Sequence, residues 1–589
     1  MKILLTGINA KYIHSNLGIR YLQKYSSNYN KYIETVEYTI NNHYDYILQE
    51  IYKKKPNILA ISCYIWNIEL VKMIVDDYKK ISPDTIIILG GPEVSYETEK
   101  IMNEHKDIDI VIIGEGEATF KELMEHFIDN NIELSDIDGI AYRKDNNIYK
   151  TKQRAPLSLD DIPFVYENGF KEFDNKIIYY ESSRGCPFNC QYCLSSIEKG
   201  VRLRSLEKVL KELQYFLDAK VMQVKFVDRT FNCNKKHALG IWKYLYENDN
   251  GYTNFHFEIS ADLLDEDTIE FLSKVRPGLF QLEVGVQSTN ETTINHIKRK
   301  TNFDKLANIV KQINKGNNIH QHLDLIAGLP GEDYDSFGRS FDDVYRLAPD
   351  QLQLGFLKIL KGSGLKRDSK KYEIVYKDKA PYEVLQTKEL TYDEILELKM
   401  IEEMVEIYYN SGKFDFAIKY IENHFDTPFS LYESLAKYWQ ENNYHAVNHN
   451  KVKLYTILLE FYKDTIDNKD VIFNHILRFD MYLQEKVKKF PYWLEQDYSH
   501  KKEILEFYKI QDNIEKFLPK LKSFTSKQIS RMAHIEVFPI DIIEWSKDFT
   551  KPIKQREIAV LFDYYSRDVF RNNAEYVKVD IISNISQEM

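Results

Sequence analysis

Apolar runs and amphipathic stretches alternate along the first third of the chain. Residues 2–8, 57–63, 85–89 and 108–113 are short apolar runs bounded by turn residues, and 32–38 is a further candidate strand. Between them, apolar positions recur at helical spacing over 17–25, 44–53, 68–78 and 118–127. Apolar strands alternating with helices predict a doubly wound, Rossmann- or flavodoxin-like parallel sheet over residues 1–132. Ligands in such sheets bind beyond the strand C-terminal ends, which is where Ser62, Gly90-Gly91 and Gly114-Glu115-Gly116-Glu117 fall.

Residues 133–174 read as a linker. Within it, 136–142 and 148–151 suggest a small hairpin, followed by the proline-punctuated crossing from Arg154 to Pro163. From 175 to 365 six strand–helix units follow, with strands near 177–183, 221–227, 255–261, 279–286, 320–326 and 351–360. This predicts a partial (β/α)6 barrel. Asp228, Asp262, Glu283, Gln287 and Asp324 fall at the expected strand ends, where polar side chains mark a site; in mid-strand they would be buried without partners. Residues 366–589 change character. Helical periodicity dominates over 392–410, 431–442, 452–464, 470–489 and 502–508, with strands expected at 533–540 and 557–561, so this domain reads as mainly helical. The fold class is therefore α/β with a helical C-terminal domain.

Composition narrows the function classes. Of 589 residues, 29% are charged and 43% hydrophobic, as in a globular protein, and no apolar run of membrane-spanning length occurs. The formal net charge of −11 argues against general nucleic-acid binding. Five cysteines are too few for a disulfide framework, which points to a reducing, cytoplasmic setting. The apolar start at Met1 is too short for a signal peptide. The abundance of Tyr, Lys, Asn and Ile suggests an AT-rich, anaerobic bacterial source.

Three of the five cysteines lie in Cys186-Pro-Phe-Asn-Cys190-Gln-Tyr-Cys193, spaced C-x₃-C-x₂-C on a loop that follows a predicted strand. A structural zinc site requires four ligands, and no fourth Cys or His follows closely. Three thiolates suit a four-iron cluster with one iron left open. The motif resembles the cluster loop of the radical S-adenosylmethionine superfamily. That resemblance implies a [4Fe-4S] cluster on Cys186, Cys190 and Cys193, with S-adenosylmethionine chelated to the open iron and cleaved to a 5′-deoxyadenosyl radical. It also implies S-adenosylmethionine contacts from Tyr192, from Asp228 (D-x-x-F), from Glu283 and Gln287 (E-x-G-x-Q-S) and from Asp324 (D-x-I-x-G-L-P-G-E). Leu159-Asp-Asp-Ile-Pro163 is similar to the L-D-x-I-P segment that precedes such barrels. Cys233 is expected to be an ordinary loop cysteine.

The N-terminal domain resembles the cobalamin-binding domain that often precedes such a barrel. The resemblance implies corrin contacts from Asn9, Ser62, Tyr64, Gly90, Gly91, Gly114, Glu115, Gly116 and Glu117. The loop Asn9-Ala-Lys-Tyr12-Ile-His14-Ser-Asn-Leu-Gly18 departs from the cobalt-ligating pattern D-x-H-x-x-G, with Tyr12 in place of the Asp and the glycine one place late. Cobalt is therefore expected to carry no protein histidine, because such a ligand needs an orienting partner. The C-terminal third resembles the uncharacterised domain (DUF4080-like) of a subgroup of these proteins, and a cap over the barrel mouth is the expected role. Together these imply a cobalamin-dependent radical S-adenosylmethionine enzyme, foremost a methyltransferase acting on an unactivated carbon or phosphorus of a small-molecule or lipid-like substrate. A one-electron reductant such as flavodoxin or ferredoxin would be its partner. A radical rearrangement or cyclisation enzyme, a methylthiotransferase and a non-catalytic corrinoid- or redox-sensing protein remain as alternatives.

Overall fold

The computed structural model describes residues 1–167, 169–197, 200–494 and 499–581. Compactness divides the chain into one unit of residues 1–337 and 355–392 and a second of 338–354 and 393–589.

The first unit opens on a seven-stranded sheet. Its strands are β1 (Ile3–Asn9), β2 (Ile33–Thr39), β3 (Ile58–Ser62), β4 (Ile86–Gly90), β5 (Ile110–Ile112), β6 (Ile140–Lys144) and β7 (Asn147–Lys150), in the order β2-β1-β3-β4-β5-β6-β7. β1 to β5 pair in parallel; β6 and β7 are antiparallel additions. Every residue of β1 is buried, and two apolar layers form on the two faces, one around Leu4, Leu59 and Val75, the other around Leu5, Ile88 and Phe120. The hairpin expected in the linker thus belongs to the sheet. Ile140 and Ala141 are fully buried against the β5 edge, which would otherwise present unpaired backbone.

A second sheet is built from β8 (Ile178–Tyr180), β11 (Gln223–Phe226), β12 (Asn254–Ile259), β13 (Phe280–Gln287), β14 (His320–Ala327) and β15 (Gln351–Phe356), in the order β15-β14-β13-β12-β11-β8. The pairings from β8 to β14 are all parallel. Between β8 and β11 the chain adds a two-stranded antiparallel ribbon, β9 (Ser183–Cys186) with β10 (Gly200–Leu203), which no periodicity announces. Along these strands side chains alternate between faces. Phe226, Phe257, Phe280 and Leu282 are buried on one face, where the Phe257 ring lies 4.6 Å from Phe226 and 5.9 Å from Trp242. The opposite face carries Lys225, His256, Glu258, Glu283, His322 and Asp324. Polar residues are therefore not confined to the strand ends: the barrel interior is itself polar, and its charges are paired rather than solvated.

The second unit is mainly helical, with helices Tyr392–Val405, Pro428–Glu441, Lys451–Thr465 and Ile472–Gln484 among others. It closes with a three-stranded antiparallel sheet of Ala533–Phe538, Ile558–Arg567 and Ala574–Val579, whose last strand the sequence pattern missed. No described helix is long and apolar enough to cross a membrane.

One buried ion pair ties the interdomain crossing to the barrel. Arg204, 1% exposed, donates to Glu212 at 2.9 Å and to the Ile162 carbonyl at 3.1 Å, and the Tyr180 hydroxyl donates to Glu212 at 2.7 Å. Removing one partner strands a buried charge. Arg204→Met should lower the unfolding free energy by about 3 kcal/mol, read as an earlier urea midpoint. The double change Arg204→Met with Glu212→Leu should recover most of that loss.

Candidate functional site

The cysteine loop is held at its root. The Ser182 backbone N–H (2.9 Å), the Ser182 hydroxyl (2.6 Å) and the Ser183 hydroxyl (2.5 Å) all donate to Asp228, the carboxylate that follows β11. Burial pushes Asp228 up to about 6, against the pull of the serine bonds. Its oxygens are taken by these bonds, and Asp228 does not line the cleft; the expected cofactor contact is instead a strut beneath the loop. Gly185 then turns the chain at φ +100°, where an added Cβ would stand 2.3 Å from the Gly200 carbonyl oxygen, so no other residue fits.

Beyond this turn Cys186, Cys190 and Cys193 line one cleft of about 190 Å³ together with Tyr192, Glu283, Gln287 and Asp324, and also with Arg229, Glu258 and Arg299. Arg299 donates to the Tyr192 hydroxyl at 3.1 Å and to the Gly285 carbonyl, and lies 3.9 Å from the Cys190 sulfur. Burial raises the Cys190 thiol, and the Arg299 guanidinium opposes it. Three thiols lining one cleft suit a multi-iron cluster. The β13 strand bulges between Gly285 and Gln287, and Gln287 adopts φ +76°. Its side-chain oxygen is buried at the cleft without a hydrogen-bond donor among the described residues, an acceptor free for the amine or hydroxyls of S-adenosylmethionine. Cys233 is half-buried and lines neither cavity, as an ordinary loop cysteine would.

The charges of the barrel interior form pairs. Glu283 lies 3.0 Å from Lys225 and 2.9 Å from His256, and His322 lies 3.0 Å from Asp324. Burial pushes Glu283 up, but His256 and Lys225 outweigh it and hold the carboxyl at about 2. Glu258 is the register partner of Glu283; burial and the Glu283 charge push it up to about 7, and the Arg229 and Lys225 charges offset them only in part.

A larger cavity of about 820 Å³ opens beside the cleft. All nine residues expected at a corrin line it: Asn9, Ser62, Tyr64, Gly90, Gly91, Gly114, Glu115, Gly116 and Glu117, joined from the barrel by Tyr179, Glu181, Arg184 and Lys225. Arg229 and Glu258 line both cavities. Their roles differ in detail. Gly114 (φ +78°) has nothing within 4 Å of a built Cβ, and Gly90 meets only Ile112 at an ordinary 3.6 Å, so the cradle is open at both. Gly91 (φ +115°) would drive a Cβ to 2.5 Å from the Cys63 carbonyl oxygen, so this lining residue is also a folding requirement. Glu115 and Glu117 are engaged by arginines (below) rather than standing free. His14 lines the cavity with one ring nitrogen already bonded to the Tyr179 hydroxyl at 2.7 Å, and burial lowers its pKa. A wide, glycine-floored cavity beyond parallel strand ends fits a corrin.

Comparison with known proteins agrees with the two cavities. The family description "B12 binding domain" matches residues 3–124, "Radical SAM superfamily" matches 180–344, and "Protein of unknown function (DUF4080)" matches 370–562. One chain thus carries a B12-binding domain, a radical S-adenosylmethionine domain and the DUF4080 domain, in that order. The uncharacterized methyltransferase PH0819 of Pyrococcus horikoshii is 34% identical over 205 residues, 33% of this chain and 44% of that protein. The cobalamin-dependent radical SAM methyltransferase TokK of Streptomyces tokunonensis is 26% identical over 312 residues, 48% of this chain and 44% of that protein. The chain thus spans less than half the length of these relatives. Among solved structures, the cobalamin-dependent S-adenosylmethionine radical enzyme OxsB with aqua-cobalamin bound superposes with a TM-score of 0.57 at 15% identity, over 89% of this chain and 81% of that one, which shows a shared fold.

The radical S-adenosylmethionine domain implies a [4Fe-4S] cluster and S-adenosylmethionine, and the B12-binding domain supports cobalamin as the third cofactor. Sequence patterns missed four lining residues. Arg299 lies in Lys298-Arg-Lys300, which reads as a solvated run; Arg229 follows a motif residue; Glu258 hides inside an apolar strand; Arg184 looks like turn punctuation.

Three outcomes follow for this site. Gly90→Leu should leave the fold intact and reduce hydroxocobalamin retention by about tenfold or more through overfilling. Gly91→Ala should instead destabilise the domain by roughly 1–3 kcal/mol; ultrafiltration and urea unfolding separate the two. For Glu258, a folded pKa near 7 above the ordinary 4.5 means the native state binds more protons than the unfolded state between those values. Stability therefore falls as pH rises through that window. Glu258→Gln should melt increasingly above the parent protein from pH 5 to pH 8, as measured by scanning calorimetry of cluster-free protein.

Proposed function

We propose that the protein is a cobalamin-dependent radical S-adenosylmethionine methyltransferase. The observation that carries this reading is the common wall of the two cavities: Arg229 and Glu258 face both the thiol-lined cleft and the glycine-floored cavity. When bound, the cofactors supply a substrate-activating radical and a carrier for the methyl group. The chain supplies position and electrostatics. Arg299 fixes the Tyr192 ring and sets a positive charge beside Cys190. Gln287 offers an unfilled acceptor, and the Glu283 carboxylate, held ionised by Lys225 and His256, keeps a fixed negative charge at the cleft. Glu258 can donate a hydrogen bond below about pH 7 and accept one above it. The substrate's own place is between the two cavities, against Arg229 and Glu258.

The methylthiotransferase alternative is disfavoured by the N-terminal domain, whose one cysteine, Cys63, is fully buried with its thiol pushed far up by burial. That group cannot serve a second cluster.

The test is anaerobic reconstitution with iron, sulfide and hydroxocobalamin, a chemical reductant and S-adenosylmethionine, followed by mass analysis. A methyltransferase of this kind yields 5′-deoxyadenosine together with S-adenosylhomocysteine; 5′-deoxyadenosine alone means rearrangement or cyclisation. Cys186→Ala, Cys190→Ala and Cys193→Ala should each abolish S-adenosylmethionine cleavage, whereas Cys63→Ala and Cys233→Ala should retain about four irons per chain.

A further inference from the structure

Glu115 and Glu117 belong to the loop that forms one wall of the larger cavity, and both are spoken for. Arg184, two residues before the first cluster cysteine, contacts Glu117 at 2.9 Å, Glu115 at 3.2 Å and Glu181 at 2.8 Å. Arg202 also pairs with Glu115 and donates to the Leu157 carbonyl at 2.5 Å. The two arginines are register partners across the β9–β10 ribbon, so they stand side by side on one rigid element. Cys186 ends that same ribbon, opposite Gly200. The carboxylates are largely shielded from water: Glu117 is 5% exposed and its side chain 6%. Glu181 and Glu117 hold the Arg184 guanidinium well above its usual range, against burial that works the other way. The ribbon that ends in a cluster cysteine is thus joined through two guanidiniums to the corrin-cavity loop.

We propose that Arg184 and Arg202 are positioning residues that make cluster assembly and corrin binding mutually dependent. The proposal rests on the reading of the larger cavity as the corrin site. Ligation of Cys186 fixes the end of the ribbon; the ribbon fixes both guanidiniums; these hold the Gly114–Glu117 loop in the shape that receives the ligand. A site ordered in advance binds more tightly, since less freedom is lost on binding. Linkage makes the effect reciprocal: a bound corrin stabilises the cluster loop by the same factor.

The experiment uses the full chain, once without iron and once reconstituted to about four irons, each titrated with hydroxocobalamin by equilibrium ultrafiltration. The readout is the ratio of the two dissociation constants, which a purely local contact with the corrin does not change. In the parent protein, cluster loading should tighten binding by about tenfold, within the usual range of such couplings. Glu117→Gln should bring the ratio close to one while iron content stays unchanged. Arg184→Lys, a single point charge in place of a forked donor, should leave an intermediate ratio, and it decides the matter if Glu117→Gln does not fold. A parent ratio of one overturns the proposal, as does an undiminished ratio in the folded variants. No retention of hydroxocobalamin in either state would instead overturn the corrin reading of the cavity, and the coupling with it.

Discussion

Three carboxylates from two domains converge on one guanidinium, and the architecture around the site depends on that convergence. Arg184 draws Glu115 and Glu117 from the first domain and Glu181 from the barrel to within 3.2 Å. Charges this poorly solvated are tolerable only when paired. An arginine suits the place because its fork can address several carboxylates at once. The pairing fixes where the C-terminal ends of one parallel sheet stand relative to those of the next. Both sheets deliver their ligand loops at those ends, so fixing the ends brings the two cavities against one wall.

The barrel interior follows the same rule of compensated charge. Lys225 offsets the Glu283 charge while His256, its pKa lowered by burial, lies beside the same carboxylate, and His322, its pKa raised beside the carboxylate, pairs with Asp324. Glu258 is the exception: it faces Glu283 across the sheet, burial and that charge outweigh the Arg229 and Lys225 cations, and its carboxyl rises to about 7. A group poised near neutrality at the junction of two cofactor cavities is a functional candidate on physical grounds.

Much of this was legible in the sequence. Strand and helix periods placed β1 to β5 and the barrel strands, since those runs are apolar throughout or alternate cleanly. The C-x₃-C-x₂-C spacing picked out three cysteines that line one cleft, and all nine residues expected at the corrin line one cavity. What escaped was set by tertiary contact. The β9–β10 ribbon contains four cavity-lining residues, Ser183 to Cys186, and almost no periodic signal. Asp228 reads as a lining acid, yet two serines consume its oxygens. Gly90 and Gly91 read as a matched pair, but only Gly91 is pressed against backbone, by the Cys63 carbonyl. Arg299 is indistinguishable by composition from the lysines that flank it. Local pattern reports which face a residue takes, not which distant group meets it there.

The central claim is that both metal centres lie on either side of a common wall formed by Arg229 and Glu258. It is tested most directly by electron paramagnetic resonance of one sample holding the reduced cluster and cob(II)alamin together. Two centres across one wall should broaden or split each other's lines relative to samples holding either alone. A doubly loaded spectrum equal to the sum of the two separate spectra would contradict the account.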